Sequence, residues 1–159
     1  MTESTVFLES IAKILLFLHL VAIFVLVGSM GHSLVIIVQY CFGNFIKEAK
    51  EGLYMKMSFW AYLITFLTGS IIYPTFRVRV RAEYLDHLLP WATGLFEVKE
   101  HWAAIGMALF FGLYYLRRNF NPAAEKEKLF LYVPLYMILN VIVLYSIYTG
   151  FYLTTLKGI

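Results

Sequence analysis

Polar and apolar residues do not alternate along this chain; the apolar ones come in four long runs separated by charged stretches. The runs cover residues 14 to 42, 57 to 76, 101 to 116 and 129 to 156. Crossing roughly 30 Å of hydrocarbon takes about 20 apolar residues. The first and fourth runs exceed that and should tilt or project from the bilayer, while the third is short and should begin earlier, near Leu95. Unpaired backbone groups are not tolerated in lipid, and no barrel-like alternation is present, so the runs must be helices. The expectation is an all-α membrane protein, a four-transmembrane-helix bundle running up-down-up-down. Its helices should cover about 9–43, 53–77, 95–118 and 128–157. With no internal repeat, low-complexity tract or linker, residues 1–159 should form a single integral membrane domain.

Two connections are short: GNFIKEAKEG between the first two helices, and RRNFNPAAEKEK between the last two, where Asn119 to Pro122 read as a stop and restart. The connection between the second and third helices is longer and more polar, RVRVRAEYLDHLLPWATGLFEVKE. Lysines and arginines divide almost evenly between the two sides. Seven (Lys47, Lys50, Lys56, Arg117, Arg118, Lys126, Lys128) face six (Lys13, Arg77, Arg79, Arg81, Lys99, Lys157). The positive-inside bias therefore leans toward both termini outside without fixing the orientation. A multi-pass protein of the bacterial inner membrane is the expected setting.

Composition narrows the chemistry. The chain is 61% hydrophobic and 14% charged, against about 25% charge in a soluble domain. A net charge of +3 from 13 basic and 10 acidic residues is too mild to suggest a nucleic-acid partner. The lone Cys41 rules out an internal disulfide, zinc sites built on paired cysteines, and covalent heme attachment. The N-terminal MTESTVFLES is acidic and no small-residue cleavage site follows, so the first span is expected to be retained.

Four histidines remain: His19, His32, His87 and His101. The first and third helices run in the same direction, and His19 and His101 lie near the same end of each. Ionisable groups at membrane depth are costly unless paired and are functional candidates by default. Two imidazoles on separate helices can approach an iron porphyrin from opposite faces. A flat ring needs small residues beside it, and Gly28, Gly31, Gly69, Ala103, Ala104 and Gly106 supply them. Heme propionates want cations, and Arg77, Arg79 and Arg81 fall on the same side as His19 and His101. Heme b held by His19 and His101 is thus the leading expectation.

The spacings extend this reading. His19 and His32 are 13 apart, and His87 and His101 are 14 apart. That arrangement resembles the transmembrane cytochrome b family, in which two parallel helices each carry two histidines about 14 residues apart and clasp two stacked hemes. It is also similar to the four-helix membrane cytochromes b that anchor respiratory dehydrogenases to a quinone pool. The resemblance implies electron transfer, one or two heme b groups, a quinone and partner subunits of a larger redox complex. Two features depart from the pattern. Thirteen residues turn a side chain well away from its starting face, and Pro90, Glu97, Lys99 and Glu100 interrupt the stretch between His87 and His101.

Other features have plainer readings. Glu97, four residues before His101, could orient the imidazole or serve a proton path, or simply favour the positive end of a helix. Met30 beside His32 is a weak copper signal. Tyrosines at the ends of the fourth helix, and Trp60, Trp91 and Trp102, suit an interfacial belt; Asn140 suits helix–helix glue. The competing function is a cofactor-free accessory subunit of a respiratory or photosynthetic complex. A transporter fits least, because the second and fourth helices offer only Thr65, Thr68 and Asn140 at their middles.

Overall fold

A computed structural model describes residues 9 to 157, so the first eight residues, which carry most of the acidic N-terminal stretch, lie outside it. Among the described residues the chain is all helical, with four long helices and no strand. They are α1 (Ala12–Cys41), α2 (Glu48–Phe76), α4 (Pro90–Arg118) and α5 (Leu129–Leu156), with one short turn, α3 (Asp86–Leu88), before α4. Three helical segments are long and apolar enough to cross a membrane: Ala12–Cys41, Glu48–Leu88 and Lys126–Leu156. Only 22% of the apolar window in the first is buried within the chain, and Phe24, Phe130 and Phe151 stand exposed. Surfaces this apolar suit a lipid solvent and not water.

Two boundaries differ from the sequence reading. Residues 48 to 52 belong to α2 and not to a connection: the turn out of α1 closes at Gly43, whose φ of 75° and N–H bond to the Tyr40 carbonyl (2.9 Å) end that helix. The connection over residues 77 to 100 is helical nearly throughout. α2 continues as a π-helical stretch, Arg77–Leu85, and the chain reverses at Leu89, with Pro90 opening α4. Proline fits there because the first turn of a helix has no partner for its N–H. Val80 and Leu85 pack inward on Ala92, Phe96 and Leu153. On the outside Arg81 bonds Glu97 (2.6 Å), and Thr93 donates to Asp86 (2.7 Å).

α1 packs along α2, α4 along α5, α2 along α4, and α1 more lightly on α5, so α1 and α4 occupy opposite corners. Small residues set the closest approaches. Ser58 donates across the α1–α2 seam to Ser29 (2.8 Å). A Cβ on Gly106 would fall 2.4 Å from the Tyr62 hydroxyl and 3.0 Å from Ile142. That hydroxyl is itself held by the Ala103 carbonyl at 2.8 Å. Gly106→Ala should therefore displace Tyr62 and cost about 1–3 kcal/mol, the usual range for overpacking, read as a lower melting temperature in detergent. Gly28 and Gly31, by contrast, have open space beside them.

Candidate functional site

The buried apolar residues form two separate clusters. The larger includes Leu26, Met30, Tyr62, Phe110, Leu139 and Val143; the smaller is built on Val80, Leu85, Ala92, Phe96 and Leu153. Between them, each long helix contributes polar groups: His19 from α1, Thr65 and Thr68 from α2, Lys99 from α4, and Ser146 and Thr149 from α5. Polar side chains gathered at one level inside a bundle are costly unless they bond one another or a ligand.

His19 is the centre of this layer. Its Nδ1 lies 3.0 Å from the Thr68 hydroxyl. That hydroxyl also lies 2.8 Å from the Ile64 carbonyl and 3.1 Å from the Thr65 carbonyl of its own helix, so it ties the imidazole to one turn of α2. The Thr65 backbone is a further hydrogen-bond partner of the ring. The ring lies over Gly69, where a Cβ would stand 3.3 Å from Cε1. A larger residue there would make the imidazole give by a few tenths of an ångström. Lys99 approaches from the opposite corner: its stem passes Gly150, 3.6 Å from where a Cβ would be, while its ammonium pairs with Glu100 (3.6 Å) and lies over the Phe96 ring (5.1 Å). The Ser146 hydroxyl is buried with no hydrogen-bond partner.

The other singled-out residues lie elsewhere. His101 is exposed, and its Nδ1 bonds the Glu97 carbonyl at 2.7 Å. It sits two residues beyond Lys99, about 200° around the helix, so the structure turns Lys99 and not His101 toward the layer. His32 is exposed and stacks on Tyr54 with ring centres 5.2 Å apart. His87 lies in α3, before the break at Leu89, and is exposed. Arg81 is engaged by Glu97 and Asp86, and Arg79 by Glu83 (3.2 Å), while Arg77 is exposed. The Glu97 carboxylate thus serves Arg81 and not an imidazole. Asn140 bonds the Tyr136 carbonyl of its own helix (2.8 Å) rather than a neighbour. No group of three or more metal-ligating side chains is present among the described residues.

A second polar centre, missed in the sequence, closes the opposite end. Glu51, fully buried, forms an ion pair with Arg117 and accepts hydrogen bonds from Tyr132 (2.5 Å), Ser33 (3.4 Å) and Tyr40 (3.5 Å). Arg117 also donates to the Glu48 and Phe120 carbonyls, at 2.8 and 3.2 Å. Tyr132 and Tyr136 are fully buried here, not placed in an interfacial belt. Glu51 follows Glu48 by three residues at a helix start, a pattern that in isolation reads as solvated acids; no local signal marks it as buried.

No family model matches the chain, and no curated protein or solved structure matches it.

Proposed function

We propose that the chain is a b-type cytochrome subunit that carries electrons between a quinone pool and a redox partner inside a larger membrane complex. In this reading α4 is the fourth crossing, the setting is a multi-pass inner membrane, and the polar layer is the cofactor site. The observation that carries it is His19, an imidazole within an apolar span whose ring is oriented by the Thr68 hydroxyl 3.0 Å from its Nδ1. A metal-ligating histidine is oriented by a partner on its other nitrogen, and Thr68 is placed to be that partner.

The layer would offer heme iron one imidazole. His19 would hold the iron through its free ring nitrogen; Lys99, which pairs with Glu100 in this structure, would turn from it to meet an anionic propionate, and the unpartnered Ser146 hydroxyl suits a polar edge. Heme, when bound, supplies one-electron chemistry. The protein sets its potential through ligand, burial and charge. His101 would join as second ligand only through a rotation of α4 by about half a turn, which would withdraw Lys99.

One observation favours the cofactor-free accessory subunit instead: Thr68 already satisfies one nitrogen of His19, and a hydrogen-bonded histidine can be glue between helices. Heme content separates the readings. Protein purified from heme-replete cells should give about one heme per chain by pyridine haemochrome; a colourless, folded preparation rejects the cytochrome. Thr68→Val should keep the fold and weaken heme retention roughly 10- to 100-fold, the usual effect of losing the group that orients a ligand, measured by transfer of heme to an acceptor protein.

A further inference from the structure

At the end of the bundle opposite His19, a cleft of about 420 Å³ opens between α2 and α4, lined by Gly52, Met55, Lys56, Tyr114, Arg117 and Arg118. We infer that it is a binding site for the phosphodiester head group of an anionic phospholipid. The site does not depend on the cytochrome reading.

Its charge comes first. Arg117 is neutralised by Glu51, but Lys56 and Arg118 are exposed and make no ion pair among the described residues. Two uncommitted cations therefore flank one cleft. Between them the Arg117 guanidinium rests against Gly52, where a Cβ would stand 3.2 Å from it, and forms one wall. Phosphate oxygens suit such a setting, with charge from Lys and Arg and a hydroxyl from Tyr114 within the same walls.

Its position points to a lipid and not to a free anion. The lining residues lie within the first nine of α2 and the last five of α4, where the polar end of each helix meets its apolar run. Immediately inward the α2–α4 seam is aromatic. Phe59 stacks on Tyr114 at 4.5 Å and meets Phe111 edge-on at 5.1 Å, and Phe111 is exposed on the outer surface. A head group in the cleft would leave its acyl chains lying along that seam. Basic pockets between membrane helices are a recurring solution for acidic lipids.

The test uses the full-length protein in detergent, titrated with phosphatidylglycerol, phosphatidylcholine or inorganic phosphate, with bound lipid counted by native mass spectrometry and melting temperature followed in parallel. Phosphatidylglycerol should be retained and should raise the melting temperature, while phosphatidylcholine and phosphate do neither. The K56A/R118A double variant, altered only at exposed positions, should melt normally without lipid and retain phosphatidylglycerol roughly 30-fold less well. K56R should bind as the parent does. Equal retention of phosphatidylcholine, an equal effect of inorganic phosphate, or unchanged retention by the double variant would each overturn the assignment.

Discussion

Glu51→Ala is expected to be the most damaging single substitution in the chain, lowering stability by about 3–5 kcal/mol. That is the usual cost of stranding the partner of a buried ion pair. The carboxylate is fully buried and is the point where three other helices meet α2: Arg117 comes from α4, Tyr132 from α5, and Ser33 and Tyr40 from α1. Removing it leaves a guanidinium inside the protein and three hydroxyls without their acceptor. Arg117→Ala should be comparably severe, because the Glu48 and Phe120 carbonyls lose their donor as well. Tyr132→Phe removes one bond to a charged acceptor and should cost about 1.5–3 kcal/mol. Replacing both charges together, Glu51→Leu with Arg117→Met, should recover most of the loss, since a buried pair exchanged for apolar residues of similar size is often neutral. Unfolding in mixed micelles, followed by helix signal, measures all four. Single variants as stable as the parent would show that the pair is not buried in the folded protein.

What could be read from the sequence followed from how directly each feature depends on local composition. The runs over α1 and α5 stand out because lipid demands unbroken apolar text, and three of the helical segments meet that demand. α2 starts at Glu48, five residues before the expected helix start at 53, because Glu48 and Glu51 look like a solvated connection. Hydropathy records that a carboxylate is expensive, but not that Arg117 and Tyr132, 66 and 81 residues away, are its partners. The segment over residues 77 to 100 reads as a polar connection because alternating arginines and valines have no helical stripe, yet a π-helical path still buries Val80 and Leu85.

The polar layer was half legible. His19 announces itself as an ionisable group within an apolar run, and Thr68 as one of two threonines at the middle of α2. Lys99 counted only as charge, because a lysine beside Glu97 and Glu100 looks solvated. Which of Lys99 and His101 faces inward is a question of helix phase. Only the packing of α4 on α5 through Gly150 settles it.

The second large effect is expected at His19 itself. His19→Ala should abolish bound heme rather than merely weaken it, because no other imidazole faces the layer in this arrangement; His32, His87 and His101 are all exposed. The fold should survive, since the Glu51 centre and both apolar clusters lie elsewhere along the bundle. Lys99→Met should leave the pigment in place and shift its midpoint potential downward, because a nearby positive charge favours the reduced, less positive iron. His101→Ala should leave the spectrum unchanged if the structural placement is also the working one.

The account rests on a heme gripped by His19, and a reduced-minus-oxidised absorption spectrum of the purified parent beside His19→Ala tests it most directly. The parent should show the α and Soret bands of a b-type heme, and the variant, with equal helix content and melting behaviour, should show none. Identical spectra from the two proteins, whether both coloured or both blank, would contradict it.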